Sequence, residues 1–241
     1  MSRSTATKRV FLTGATGIMG RAVLRELVDR ADRLEVVALV LPTPHDRQAI
    51  AEFQDARNLS LVYGDLTRYA DVERCVRGAD YVLHTAALVS PAADEQPELT
   101  MRVNVDGVRN IIRAVKARDD PDSVGVVMIG SVAETGDRNP PHHWGRVGDP
   151  LKPAVFDIYA QSKIAAEREL VDSGLRRWAR SRRRTSTATG SPTPAGSMTF
   201  CTSAPRRSRK PSPAPRPPPP PGCDWPDASR RAWSSGGSSN R

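Results

Sequence analysis

Short apolar runs and longer amphipathic stretches alternate along the first 175 residues. Short runs such as 124–129 are typical of strands that are covered on both faces. The longer stretches repeat apolar residues at helical spacing and predict helices with one buried face. The predicted strands are 9–13, 35–41, 60–63, 81–84 and 125–129, and the predicted helices are 18–30, 45–55, 68–76, 96–118 and 156–173. Strands separated by helices predict a parallel sheet with right-handed crossovers and helices on both faces.

This alternating pattern stops at Leu175. Residues 176–241 contain no Leu, Ile or Val but hold 12 of the 21 prolines, including the run 217–221. Such a segment cannot bury enough apolar surface to offset the entropy of ordering it. We therefore predict an α/β fold of Rossmann type over residues 1–175, a doubly wound parallel sheet that is C-terminally truncated after five strands. Residues 176–241 are predicted to be a disordered, low-complexity tail.

The net charge of +9 is unevenly distributed along the chain. Residues 176–241 carry 13 Arg and one Lys against two Asp, a net +12, whereas the first 175 residues carry a net −3. The tail has three interpretations: a basic arm for RNA or DNA, a proline-rich ligand for a partner domain, or translation in a shifted reading frame. We favour the shifted frame, because GC-rich codons encode Arg, Pro, Ala and Gly and because the break falls inside the fold. Nucleic acid is accordingly not an expected partner.

Cysteine spacing and hydropathy predict a cytoplasmic protein without a metal site. Cys75, Cys201 and Cys223 have neither the spacing of metal ligands nor that of a disulfide framework. No apolar run is long enough for a transmembrane helix, so no membrane association is expected. The chain reaches its first predicted strand within about eight residues and shows no signal-peptide pattern.

Residues 13–20, Thr-Gly-Ala-Thr-Gly-Ile-Met-Gly, join the first predicted strand to the first predicted helix. The start of a helix presents free N–H groups and a partial positive charge, which suit a pyrophosphate. Gly14 and Gly17 permit a sharp turn and the close approach of a phosphate, and Gly20 permits close packing of helix on strand. The spacing is G-x-x-G-x-x-G rather than G-x-G-x-x-G, so a plain strand-to-helix turn remains the alternative.

Tyr159 and Lys163 form a second candidate cluster on the last predicted helix. Residues four apart share one helix face, so the two side chains are expected to lie together. A nearby ammonium favours the tyrosine phenolate, and such a pair can exchange a proton with a substrate alcohol or carbonyl. An ordinary surface Tyr and Lys on an amphipathic helix is the alternative.

Four short motifs accompany the glycine turn and the Tyr-Lys pair. They are Gly64-Asp65-Leu66 after the third strand, His84-Thr85-Ala86-Ala87 after the fourth, Asn104-Val105-Asp106-Gly107 with Asn110 on the fourth helix, and 131–136, Ser-Val-Ala-Glu-Thr-Gly, at the end of the fifth strand. With these motifs, residues 8–175 resemble the extended branch of the short-chain dehydrogenase/reductase superfamily, the NAD-dependent epimerase/dehydratase family. The family pattern S-x-x-V-Y-G places Ser131 at the catalytic serine position.

The resemblance implies a proton-transfer site beside a dinucleotide site. Ser131 would orient a substrate carbonyl or hydroxyl, Tyr159 would act as the acid/base, and Lys163 would lower the tyrosine pKa and hold the nicotinamide ribose. The implied cofactor is NAD or NADP, which exchanges a hydride with a substrate carbon. The residues implied to bind it are Gly14, Thr16, Gly17, Ile18, Met19, Gly20, Asp65, Leu66, Ala86 and Ala87, together with Tyr159 and Lys163.

The implied function is that of an NAD(P)-dependent oxidoreductase or epimerase/dehydratase that acts on a carbonyl or hydroxyl group of a small molecule such as a nucleotide sugar. A cofactor-binding chain without turnover and a nucleic-acid-binding protein are the alternatives. A homodimer through helices 96–118 and 156–173 is also implied by the resemblance.

Two departures from the family pattern limit these expectations. The second strand ends in Val40-Leu41-Pro42-Thr43, which lacks both the acid that favours NAD and an arginine for a 2′-phosphate, although Arg47 follows. The preference between NAD and NADP is therefore open. The family's C-terminal third, which supplies further strands and a substrate domain, has no counterpart in residues 176–241.

Two local assignments also stay open. Asp65 either contacts the adenine amino group or serves as an acid at the start of a helix, ahead of Thr67 as N-cap. His142, His143 and Trp144 belong to the loop 131–157, which either contacts substrate or forms a packed turn. A His pair without further ligands at suitable spacing is weak support for a metal.

Overall fold

A computed structural model describes residues 7–135, 156–183 and 201–202. All of these residues belong to one compact unit, Met1–Pro205. Arg206–Arg241 is assigned to a separate unit and lies outside the described residues. No helix in the described part of the chain is long and apolar enough to cross a membrane.

A seven-stranded sheet with the order β3-β2-β1-β4-β5-β6-β7 forms the centre of the fold. Its first six strands are parallel, and the last runs antiparallel to its neighbour. The strands are β1 (Lys8–Thr13), β2 (Leu34–Val40), β3 (Leu59–Tyr63), β4 (Tyr81–His84), β5 (Gly125–Ser131), β6 (Trp178–Arg183) and β7 (Cys201–Thr202). The order 3-2-1-4-5-6 is that of a doubly wound dinucleotide-binding fold, which confirms the predicted fold class.

Seven α-helices occur in the described residues, and all but the short α4 overlap the helices that the apolar periodicity predicts. They are α1 (Ile18–Val28), α2 (Pro44–Ala49), α3 (Tyr69–Val76), α4 (Ala92–Glu95), α5 (Pro97–Met101), α6 (Gly107–Lys116) and α7 (Ile158–Asp172). A π-helical turn, Arg102–Asp106, joins α5 to α6, so the single helix predicted at 96–118 carries a local widening. The helix predicted at 45–55 divides into α2 and the 3-10 turn Ala51–Phe53. Helix α3 has Arg68 at its N-cap position, so the prediction of Thr67 as N-cap is wrong.

The prediction that the sheet ends after five strands is also wrong. Strand β6 pairs in parallel with β5 over six residues, from Val126↔Trp178 to Ser131↔Arg183. On one face of this strand the small side chains Ala179 and Ser181 are buried, and on the other face Trp178 packs against the apolar core. Hydrogen bonds to the exposed edge of β5 therefore form this strand without any Leu, Ile or Val. Residues 184–200 and 203–241 of the predicted tail lie outside the described residues.

Two apolar layers cover the two faces of the sheet. Phe11 belongs to the layer that also contains Met128 and Leu170, whereas the next residue, Leu12, belongs to the layer with Leu24. Neighbouring residues of a strand point to opposite faces, so a strand buried on both sides contributes to both layers. The layers hold the carboxyl ends of β1, β4 and β5 side by side, and the predicted site residues follow these ends.

Candidate dinucleotide and catalytic site

Gly14 and Gly20 are required by the shape of the turn between β1 and α1. Gly14 has a φ of +71°, and a Cβ added there would lie 2.6 Å from the backbone nitrogen of Ala86. A Cβ at Gly20 would lie 1.8 Å from the carbonyl oxygen of Gly14. A Cβ at Gly17 would meet that oxygen at 3.5 Å, an ordinary contact. The turn therefore excludes side chains at two of its three glycines.

The N-terminus of α1 opens directly behind this turn. Gly17 occupies the N-cap position, where no side chain accepts a hydrogen bond, and the first turn holds no acidic residue. The amides of Ile18, Met19 and Gly20 have no acceptor within the helix, as in any first turn. Backbone donors, a positive dipole end and a surface without side chains fit a phosphate group.

Residues at the end of β4 are hydrogen-bonded to Thr13, the first residue of the glycine turn. The Thr85 hydroxyl donates to the Thr13 carbonyl at 2.7 Å, and the Ala86 amide donates to the Thr13 hydroxyl at 3.3 Å. His84 Nδ1 lies 2.8 Å from the same hydroxyl. These bonds bring Ala86 and the adjacent Ala87, both half-buried, alongside the predicted phosphate site.

Asp65 and Leu66 lie in the loop between β3 and α3. The Asp65 carboxylate accepts a hydrogen bond from the Thr67 amide at 2.8 Å, so it organises its own loop. Leu66 is buried, and its carbonyl accepts a hydrogen bond from the Asn110 side chain at 3.0 Å. The contact of Asp65 with adenine stays a prediction.

Ser131, Tyr159 and Lys163 meet at the carboxyl end of β5. Ser131 is the last residue of β5, and its side chain is hydrogen-bonded to that of Tyr159. Tyr159 lies in the first turn of α7. The N-cap of this helix is Asp157, whose carboxylate accepts a hydrogen bond from the Ala160 amide at 2.8 Å. Lys163 is one turn further, and its ammonium donates to the Ile129 carbonyl at 2.5 Å. The structure thus brings together the three residues that the sequence assigns to proton transfer.

A family model, NAD dependent epimerase/dehydratase family, matches residues 10–176, which is most of the chain and includes both halves of this site. The chain belongs to this epimerase/dehydratase family. The match confirms the resemblance that the motifs indicate.

Characterised relatives of this epimerase/dehydratase chain act on different classes of substrate. The 3-beta-hydroxysteroid dehydrogenase of Mycolicibacterium neoaurum is 27% identical over 170 residues, which cover 66% of this chain and 42% of the relative. The Bordetella bronchiseptica enzyme WbmH, solved with NAD+, is 27% identical with a TM-score of 0.62, over 73% of this chain and 56% of that one. The Thermus thermophilus UDP-glucose 4-epimerase, solved with NAD, is 26% identical with a TM-score of 0.59, over 71% and 53%. The chain spans about half the length of these relatives.

Burial shifts the pKa of two side chains in the epimerase/dehydratase site, Tyr159 and Lys163. Burial raises the pKa of Tyr159 above its ordinary value, the Ser131 hydrogen bond opposes the rise, and the Glu134 and Asp157 carboxylates add to it. The ammonium of Lys163 is directed to the Ile129 carbonyl, and the lowering of the Tyr159 pKa by Lys163 stays a prediction. Burial lowers the pKa of Lys163 to about 8, and Glu134 opposes that lowering.

Two carboxylates at the site, Glu134 and Asp46, are not predicted as site residues from the sequence. Glu134 is fully buried and accepts a hydrogen bond from the Ser131 amide at 2.8 Å. Asp46 accepts from the Thr16 hydroxyl at 2.7 Å and from the Thr43 hydroxyl at 2.5 Å, so it lies beside the glycine turn. The signal for Asp46 is local, since Thr43 is the N-cap of α2 and Asp46 stands three residues on, as in a capping box. Glu134 occupies the position of Val in the family pattern, which gives no such signal.

Asn104 links the loop after β4 to helix α7. It lies in the π-helical turn between α5 and α6, where its side-chain oxygen accepts from the Leu88 amide at 2.7 Å. Its side-chain nitrogen donates to the Leu88 carbonyl at 3.0 Å and to the Ser162 hydroxyl at 2.8 Å. Ser162 lies between Tyr159 and Lys163 on α7, and donates to the Tyr159 carbonyl at 2.7 Å.

The described residues contain no cluster of three or more His, Cys, Asp or Glu side chains that could hold a metal ion. Gly136, His142, His143 and Trp144 lie outside the described residues, so their predicted roles stay predictions.

Proposed function

We propose that this chain is an NAD-dependent enzyme that interconverts a secondary alcohol and a ketone on a sugar or sterol. The observation that carries this is the Ser131–Tyr159 hydrogen bond, with Lys163 one helical turn on, at the same sheet edge as the glycine turn. The names of its relatives supply the substrate classes: a hydroxysteroid for the Mycolicibacterium dehydrogenase and a nucleotide sugar for the Thermus epimerase.

The glycine turn supports dinucleotide binding. Gly17 leaves open space, since a Cβ added there would meet only the Gly14 carbonyl oxygen, at 3.5 Å, and the uncapped amides of Ile18 and Met19 offer donors that fit the pyrophosphate of NAD. Ala86 and Ala87 would line its path, and Tyr159 and Lys163 would face its nicotinamide end. When bound, the dinucleotide accepts a hydride from the substrate carbon or returns one to it.

Proton transfer falls to the chain's own residues. The raised pKa of Tyr159 keeps its phenol protonated at neutral pH, so it can donate a proton to a ketone oxygen. In the reverse direction the phenolate removes the proton from the alcohol, so oxidation is expected to speed up as pH rises. Ser131 orients the same oxygen through its hydroxyl. Lys163, with a pKa of about 8, supplies positive charge on the same face of α7 at neutral pH.

Asp46 supports NAD over NADP. Its carboxylate is held beside the glycine turn by Thr16, close to the end of β2, where the adenosine ribose lies in this fold. A carboxylate there accepts hydrogen bonds from the ribose hydroxyls and repels a 2′-phosphate. Arg47 is engaged elsewhere, because its guanidinium carbon lies 3.9 Å above the centre of the Tyr63 ring.

The test is a fluorescence titration of the full chain with NADH and NADPH, followed by assays on UDP-sugars and 3-hydroxysteroids. We expect NADH to bind more tightly, and Asp46→Ala to reduce that preference. Tyr159→Phe should keep NADH affinity and lose at least about 100-fold in turnover. Absence of saturable dinucleotide binding by the wild type would refute the proposal. Binding without turnover, with Tyr159→Phe indistinguishable from the wild type, would indicate a cofactor-binding chain that is not an enzyme.

A further inference from the structure

We infer that Glu134 is a positioning residue for proton transfer. Its buried carboxylate fixes the Ser131 backbone at the end of β5 and balances the ammonium of Lys163, one helical turn from Tyr159 on α7. This inference rests on the proposed function for its catalytic consequence, although its electrostatic part can be measured without cofactor or substrate.

The first support is the local geometry. Glu134 lies in the 3-10 turn Val132–Thr135, which follows β5 directly. Its side chain folds back to accept from the Ser131 amide at 2.8 Å, and the Ala133 amide donates to the Ser131 hydroxyl oxygen at 3.2 Å. The turn therefore holds Ser131 at both its backbone and its side chain. This leaves the serine hydroxyl oriented toward Tyr159, to which it is hydrogen-bonded.

The second support is burial. Glu134 is 0% exposed, and a carboxylate is taken out of water only at a large cost unless charges and donors compensate. The Ser131 amide supplies one donor, and the 3% exposed Lys163 supplies an opposite charge from the adjacent helix. The family pattern has an apolar residue at this position, where the chain carries a carboxylate.

The third support is the set of charges around the phenol. Three groups act on the Tyr159 phenol: Glu134 in the turn after β5, Asp157 at the start of α7, and Ser131 at the end of β5. Two titratable groups interact with Lys163: Glu134 in the turn after β5 and His84 at the end of β4. His84 is neutral, because burial lowers its pKa to about 3. Glu134 is common to both sets. Removal of its charge therefore lowers the pKa of Tyr159, which favours the phenolate, and also lowers the pKa of Lys163.

The experiment uses Glu134→Gln in the full chain, because glutamine retains an oxygen for the Ser131 amide and removes only the charge. Tyr159 is titrated by ultraviolet difference absorbance, with Tyr159→Phe subtracted in each background. We expect the phenolate midpoint to move at least about half a pH unit lower. The pH profile of alcohol oxidation should move by the same amount, with NADH affinity changed less than twofold.

Glu169→Gln is the matched control. Glu169 lies on α7, the helix that carries Tyr159, but it pairs with Arg109 at the surface. It should leave the midpoint where it is in the wild type. An unchanged midpoint in Glu134→Gln, or a shift equal to that of the control, would overturn the inference.

Glu134→Asp separates charge from positioning and also covers the case in which the Gln variant does not fold. It keeps the charge but its shorter side chain loses the Ser131 amide. We expect a phenolate midpoint close to that of the wild type and turnover reduced at least about tenfold. Wild-type turnover in this variant would overturn the positioning role. If the wild type neither binds NADH nor turns over substrate, the proposed function fails. The Tyr159 titration still decides whether the Glu134 charge raises the pKa of the phenol.

Discussion

The two halves of the site are constructed in different ways. The half at β1 and α1 consists of backbone: Gly14 and Gly20 exclude side chains, and the helix start offers amides. The half at β5 and α7 consists of buried charged groups, with Glu134 and Lys163 at 0% and 3% exposure. Steric limits define the first half, and electrostatic balance defines the second. Substitutions in the first half are therefore expected to act through stability, and those in the second through pH dependence.

The largest expected effect is that of Gly20→Ala. The added methyl group would stand 1.8 Å from the Gly14 carbonyl oxygen, which is backbone and can move only if the turn or α1 moves. We expect the free energy of unfolding to fall by about 3 kcal/mol or more, measured by urea denaturation.

Gly17→Ala provides the control for this prediction. Its Cβ would meet the same oxygen at 3.5 Å, so the free energy of unfolding should change by less than about 1 kcal/mol. Equal losses in the two variants would show that the turn does not depend on the close approach at Gly20.

Most of the backbone half could be predicted from the sequence. Apolar periodicity locates β1 to β5, and the glycine spacing locates the turn, because both are local properties of the chain. Strand β6 escapes this reasoning, since pairing with β5 and the small residues Ala179 and Ser181 form it rather than apolar composition. The chemistry of Tyr159 and Lys163 is visible as a motif, whereas the direction of the Tyr159 pKa shift depends on burial. Glu134 becomes recognisable only when the turn after β5 folds it inward.

Asn104→Ala tests the connection between the loop after β4 and helix α7. It removes three hydrogen bonds and leaves the amide and carbonyl of Leu88 without the side chain that satisfies them. We expect a loss of about 2–3 kcal/mol in the free energy of unfolding. Turnover should fall as well, because Ser162 loses its anchor beside Tyr159.

Asn110→Ala serves as the comparison, since Asn110 makes one described hydrogen bond, to the Leu66 carbonyl at 3.0 Å, and is half-buried. Its expected loss is about 1 kcal/mol. Full turnover in a folded Asn104→Ala variant would mean that packing alone positions α7 against the loop after β4.

The smallest expected effect concerns His84, which contacts Thr13 of the first half and is affected by the charge of Lys163 in the second. Its Nδ1 lies 2.8 Å from the Thr13 hydroxyl, and burial together with Lys163 lowers its pKa to about 3. The unfolded chain takes up this proton near pH 6.5 and the folded chain only near 3, so stability falls as pH drops below about 6.5. Between pH 7 and 5 the loss from this group is about 2 kcal/mol. His84→Gln retains a hydrogen-bonding side chain without the titration, so its urea stability should lack this loss. His45 is exposed, so His45→Gln should lose stability between pH 7 and 5 as the wild type does. The same loss in His84→Gln would mean that other groups cause the acid sensitivity.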